Sequence, residues 1–183
     1  MPRNALAVVT LAAALAIAAW TVNYYFGAGG ASAAARAGGG PGLLAGAPAA
    51  SYPVRGLDGS LVTIERFRGK VLLVNLWASW CAPCRSETPA LQHLYESERA
   101  RGLVVLGLDQ GESIDVARRF AREMKLTYPI AADEAQRYGR AYAAIGLPTT
   151  LVVDRAGRIA KGFDGELSLT AMREAVDPLL AAR

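Results

Sequence analysis

The stretch Val71–Leu91, VLLVNLWASWCAPCRSETPAL, constrains the chain more than any other. An apolar run, two cysteines separated by two residues and an amphipathic segment follow one another directly. Val71–Ala78 is apolar on both faces except for Asn75, the pattern of a central strand covered on two sides. The next segment predicts a helix starting near Cys81 and stopped by a left-handed Gly102, with Leu91, Leu94 and Tyr95 on one face and Pro89 inside it. Both cysteines of the chain therefore fall on the first turn of one helix, where they can be joined or separated without moving the backbone far.

The remaining elements alternate around this unit. Tyr52–Arg55 and Leu61–Ile64 flank the turn signal Asp58-Gly59 and predict a small hairpin. Leu103–Leu108 reads as a second buried strand, and the helix opened by Gly111-Glu112-Ser113 carries Ile114, Ala117, Ala121 and Met124 at helical spacing. Tyr128–Ala131 is a short strand and Glu134–Ala144 a weaker helix. Thr149–Val153 and Arg158–Phe163, joined by a turn at Asp154–Gly157, make an antiparallel hairpin before a closing helix with Ser168 as its cap and Leu169, Met172, Val176 and Leu179 as its stripe. The class is α/β, a mixed sheet with helices on both faces.

The N-terminus is of another kind. Ala5–Phe26 carries no charge over 22 residues, and a helix of that length spans about 33 Å, enough for a bilayer core of about 30 Å. Arg3 precedes it, and Trp20, Tyr24 and Tyr25 stand at its far end, where interfacial aromatics belong. Residues 1–26 are read as a single-pass anchor with the rest of the chain exported. The competing reading is a signal peptide cleaved near Ala31-Ser32-Ala33, against which stands the length of the apolar run. Both readings put the domain on the outer side of the cytoplasmic membrane, in the periplasm or its equivalent. Residues 27–50, nearly all Gly, Ala and Pro, read as a flexible tether, and residues 51–183 as the folded domain.

Charge adds little. The net charge of +4 and pI near 9.3 include Arg3 and Arg36 from outside the domain, and no basic cluster is interleaved with aromatics, so nucleic acid is not an expected partner. Arg118, Arg119, Arg122 and Lys125 read as the solvated face of a helix. A zinc site needs about four ligands, and His93 is the only histidine. Two purely structural cysteines would not account for a pair at a helix start behind a tryptophan. Redox use is the reading that remains, with no bound cofactor or metal beyond a Cys81–Cys84 disulfide.

WASWCAPCRSETPAL, followed about sixty residues later by Gly146-Leu147-Pro148-Thr149-Thr150 and a strand, resembles the thioredoxin fold of the membrane-anchored TlpA/ResA-like family of thiol–disulfide oxidoreductases. The resemblance runs from roughly Ala47 to the C-terminus. The fold it implies adds an N-terminal β-hairpin and a central αβ insertion to the thioredoxin core. Cys81, where the unpaired N–H groups and positive dipole end of a helix favour a thiolate, is the expected nucleophile, and Cys84 the resolving thiol. The resemblance further implies a cis Leu147–Pro148 bond packed against the pair, with the Leu147 backbone free to pair with an extended substrate. Trp80, Ala82 and Pro83 are expected to contact substrate, and Trp77 to pack in the core.

Two positions depart from cytosolic thioredoxin. Asn75 stands where that protein has a buried, proton-transferring aspartate, and Glu87 stands where the TlpA/ResA-like branch has a glutamate three residues after the second cysteine. Glu87 is the expected acceptor of the Cys84 proton; a surface glutamate favoured by the helix N-terminus is the plainer reading. Ala82-Pro83 brings no cation to Cys81, unlike the histidine of the strong oxidants of this fold, which points to a reductant. A reductant outside the cytoplasm implies a membrane thiol-electron donor of the DsbD/CcdA type. Its implied clients are disulfides of apocytochrome c or of copper-site proteins of respiratory oxidases. An oxidant or isomerase on the same fold is the main alternative. A peroxidase lacks its Pro-x3-Thr-x2-Cys motif here, and a copper chaperone of the SCO type its CxxxC and distant histidine.

Overall fold

A computed structural model describes residues 44–182. The expected anchor, residues 1–26, and most of the expected tether lie outside these residues. Among the described residues no helix is long and apolar enough to cross a membrane.

The described residues form seven strands, β1 (Val54–Gly56), β2 (Leu61–Val62), β3 (Val71–Trp77), β4 (Leu103–Gln110), β5 (Ile130–Asp133), β6 (Thr149–Val153) and β7 (Ile159–Asp164). They form one sheet in the order β2-β1-β5-β4-β3-β6-β7. β3, β4 and β5 run parallel, while β6 is antiparallel to β3, β7 to β6 and β1 to β5. The helices are α1 (Ala82–Glu98), α2 (Ile114–Glu123), α3 (Arg137–Ala141) and α4 (Leu169–Ala181).

The two-residue period of β3 divides the core. Val71, Leu73 and Trp77 join the cluster that holds Leu91 and Leu94 of α1, Phe120 of α2 and Met172 and Val176 of α4. Leu72, Val74 and Leu76 point the other way, to Ile64, Tyr138 and Tyr142. The whole of β3 is buried, as a strand covered on both faces requires. Asn75 shares the parity of Leu73 and Trp77, and so faces α1.

The sheet is mixed and covered on both faces, as expected, but several boundaries move. The first hairpin is shorter than predicted because its outer ends have other partners: the Tyr52 N–H bonds to the Tyr138 hydroxyl (2.8 Å) and the Ile64 N–H to Ser51 Oγ (3.1 Å), where a 3₁₀ turn begins. The helix expected over Glu134–Ala144 is reduced to α3, since Gln136 (φ 52°) and Ala143 (φ 50°) are left-handed at its ends. α1 stops near Gly102 as expected, through a 3₁₀ turn over Arg99–Arg101 and a left-handed Gly102 at φ 99°. Ser168 caps α4, accepting the Ala171 N–H at 3.2 Å. The domain boundary drawn at Ser51 comes too late. The Gly46 N–H donates to Ile159 (2.7 Å), the Ile159 N–H to Ala47 (2.9 Å) and the Ala49 N–H to Gly157 (2.9 Å), so this segment is already tied to the β6–β7 hairpin.

Candidate active site

β3 delivers Ala78, Ser79 and Trp80 to the edge of the sheet, and α1 begins at Ala82 with Cys81 as its N-cap. Cys81 and Cys84 are joined in a disulfide, with Cα atoms 5.3 Å apart. The Cys84 N–H donates to Cys81 Sγ at 3.2 Å, so the first sulfur receives one of the donors that a helix start leaves unpaired. Both cysteines are buried, whereas Ala82 and Pro83 between them are exposed. Trp80 is 71% exposed, while Trp77 is buried and stacks on Phe120 with ring centroids 4.3 Å apart. Trp77 thus packs in the core as expected, and Trp80 stands open to solvent.

Glu87 is 1% exposed. It shares the inner stripe of α1 with Cys84, Leu91 and Leu94, because offsets of three, four and three residues return to one helix face. This rules out the surface reading of Glu87. Asn75 Nδ2 donates to Glu87 Oε1 (2.6 Å) and to Thr150 Oγ1 (3.0 Å), and the Leu167 N–H donates to Glu87 Oε2 (2.9 Å). Burial pushes the Glu87 carboxyl up to about 7, against the two hydrogen bonds that favour its charged form. The two departures from cytosolic thioredoxin are therefore one arrangement: an amide on β3 holds a carboxyl supplied by α1. Sequence reasoning missed the Thr150 and Leu167 contacts. Thr150 is opposite Asn75 in the β3–β6 register, which only strand pairing reveals.

The Leu147–Pro148 bond is cis. Pro148 is buried, and its carbonyl accepts the Gly165 N–H at 2.8 Å, which fastens the β7–α4 connection that also supplies Leu167. Leu147 packs against the cluster containing both cysteines, and its backbone makes no hydrogen bond among the described residues. A groove of about 330 Å³ opens between Trp80 and Leu147, lined also by Arg140 and by Ile145, which is 74% exposed.

A buried cysteine pair at a helix N-terminus, a cis-proline preceding an antiparallel strand and a mixed five-strand core with two added strands define a thioredoxin-fold thiol–disulfide oxidoreductase. Residues 45–161 match the AhpC/TSA family, and the chain belongs to it. The chain is similar to the thiol:disulfide interchange protein HelX of Rhodobacter capsulatus, at 38% identity over 144 residues, 77% of this chain and 80% of that protein. It is also similar to the thiol-disulfide oxidoreductase ResA of Bacillus thuringiensis subsp. konkukian, at 29% identity over 70% of this chain and 75% of that one. Among solved structures, a thiol:disulfide interchange protein DsbE from Chlorobium tepidum shares the fold, with a TM-score of 0.71 at 24% identity over 75% of this chain and 98% of that one. A secreted thiol-disulfide isomerase from Corynebacterium glutamicum matches at 29% identity with a TM-score of 0.67, over 73% and 85% of the two chains.

Proposed function

We propose that this oxidoreductase works as a reductant of protein disulfides on the outer side of the cytoplasmic membrane. The observation that carries the reading is the pairing of an active-site dipeptide without a cation, Ala82-Pro83, with a buried carboxyl at Glu87, one helical turn from Cys84. With no cation in the dipeptide between the cysteines, the reduced thiolate form gains less stabilisation than in the strong oxidants, and the disulfide is correspondingly less oxidising.

In the reduced protein the Cys81 thiolate attacks one sulfur of a client disulfide. The Cys81–client bond forms, the client S–S bond breaks, and the departing client sulfur takes a proton from solvent. Cys84 then gives its proton to the Glu87 carboxylate and attacks Cys81 Sγ, forming the Cys81–Cys84 disulfide and releasing the second client thiolate. Two electrons pass to the client. A dithiol of a membrane donor of the DsbD/CcdA type restores the pair by the same exchange in reverse. The unpaired Leu147 backbone and the Trp80–Leu147 groove suit an extended client segment added as a strand, with Ala82 and Pro83 facing it. Clients with closely spaced cysteines, such as apocytochrome c or copper-site proteins, fit this use, and the apolar run Ala5–Phe26 supports a single-pass anchor.

Equilibration of the Cys81–Cys84 couple against redox buffers tests the direction. A potential well below the roughly −120 mV of the strong oxidants is expected, and a value near it overturns the reductant reading in favour of an oxidant. The full-length Cys84→Ser protein is expected to retain clients as mixed disulfides through Cys81, which identifies them.

A further inference from the structure

A pair of acids, Asp109 and Glu112, lies behind the active-site loop, unused by the chemistry above. Asp109, at the end of β4 and opposite Trp77 in the β3–β4 register, is fully buried. Its Oδ1 accepts the Glu112 N–H at 3.0 Å, whereas its Oδ2, also buried, has no partner. The Glu112 carboxyl is a close enough neighbour of Asp109 to strengthen its hold on a proton. Both Glu112 oxygens are already engaged: Oε2 accepts the Ser79 N–H (2.5 Å) and Oε1 the Ser79 hydroxyl (2.8 Å). Ser79 stands two residues before Cys81, and the Cys81 N–H in turn bonds to the Ala78 carbonyl.

With both carboxyls ionised, an unpaired buried acceptor would face a second anion, an arrangement that costs heavily in a site shielded from water. One proton resolves it. A protonated Asp109 Oδ2 donates to Glu112, and Glu112, keeping its charge, accepts two strong bonds from Ser79. We propose that Asp109 and Glu112 share one proton and act together as positioning residues, holding the Ser79–Trp80 segment and with it the reactivity of Cys81. The charged groups around the pair agree with a single proton. Glu134 beyond β5 adds negative charge, Asp133 at the end of β5 is buried against Gln110, and Arg85 of α1 reaches the Ser79 carbonyl at 3.5 Å but forms its ion pair with Glu123. Burial and the neighbouring carboxyl push Asp109 up to about 8. When that proton leaves, the added anion behind the loop opposes the Cys81 thiolate and loosens the hold of Glu112 on Ser79.

The inference rests on Cys81 being the attacking thiol, as proposed above, and the experiment separates the two. The rate of alkylation of the reduced full-length protein is followed from pH 5 to 10, with the labelled cysteine identified by mass spectrometry. Three proteins are compared: wild type, Asp109→Asn and Glu112→Gln. Asparagine reproduces a protonated aspartate, accepting the Glu112 N–H and donating to its carboxylate, but has no proton to lose. The Asp109→Asn curve is expected to lose the alkaline inflection of the wild type and to match its rate on the acid side of it. Glutamine cannot accept from both Ser79 donors, so Glu112→Gln is expected to slow Cys81 labelling several-fold at every pH. Superimposable wild-type and Asp109→Asn curves overturn the proposal, and that comparison suffices if Glu112→Gln does not fold. Labelling of Cys84 ahead of Cys81 instead overturns the assignment of the nucleophile. A purely structural role would lower the stability of both variants and leave the shape of the alkylation curve unchanged.

Discussion

Glu87 shows how the stripe on which a side chain falls, more than its type, settles whether it meets water. A glutamate in the second turn of an exposed helix usually faces water, and only its position on the same stripe as Cys84, Leu91 and Leu94 makes it a core residue. Once inside, it needs donors, and Asn75 and Leu167 provide them. Near neutral pH such a carboxyl can both take and return a proton, which suits an acceptor for Cys84. Glu87→Gln should shift the midpoint of Cys81 alkylation to lower pH, because an anion opposing the thiolate is gone. It should also slow disulfide reduction about tenfold or more through loss of the proton acceptor. Stopped-flow alkylation and turnover against a model disulfide read the two effects, and an unchanged pH curve removes Glu87 from the mechanism.

The elements around the pair are fitted to one another with little slack. β4 lies beside β3 in parallel register, so that Gly107 is opposite Asn75 and Asp109 opposite Trp77. Gly107 has to be small here: a Cβ added to it would fall 3.0 Å from Trp77 Nε1 and 3.2 Å from Tyr128. Trp77 cannot easily yield, being stacked on Phe120 of α2. Gly107→Ala is therefore expected to destabilise the protein by about 1–3 kcal/mol through overpacking, measured by urea denaturation, with quenching or broadening changes in the buried tryptophan fluorescence. A stability within about 0.5 kcal/mol of wild type would show that the Trp77–Tyr128 contact is looser than the geometry indicates. α1 itself was legible as an element because its start, stripe and stop are local signals. The trimming of the first hairpin and of α3 was not, because Tyr52 and Ile64 take side-chain partners outside the hairpin and α3 is bounded by the left-handed Gln136 and Ala143.

For the molecule as a whole, two buried acids with raised pKa values make stability depend on pH in a definite direction. Glu87 rises from 4.5 to about 7 and Asp109 from 3.8 to about 8. Over those intervals the folded protein holds a proton that the unfolded chain has released, so the stability each group contributes is complete below about pH 4 and is lost as pH climbs to its folded value. The slope is at most about 1.4 kcal/mol per pH unit for each group. Thermal or urea unfolding between pH 4 and 9 should show stability falling through this range, and the Glu87→Gln, Asp109→Asn double variant should flatten it. A double variant with the wild-type slope would place the responsible groups elsewhere. Local order in the chain was enough to establish the class: a doubly covered strand, two cysteines on the first helical turn, a later Gly-x-Pro-Thr and the periodicity of the closing helix are each set by neighbouring residues and the geometry of helix and strand. Contacts that join distant residues were decided only when the sheet assembled. Asn75 meets Glu87 across twelve residues and Thr150 across seventy-five, Leu167 reaches Glu87 across eighty, and Glu112 reaches Ser79 across thirty-three. The chemistry available at Cys81 is thus written locally, while its surroundings depend on which strands lie side by side, because strand pairing and burial set both the partners of each carboxyl and its hold on a proton.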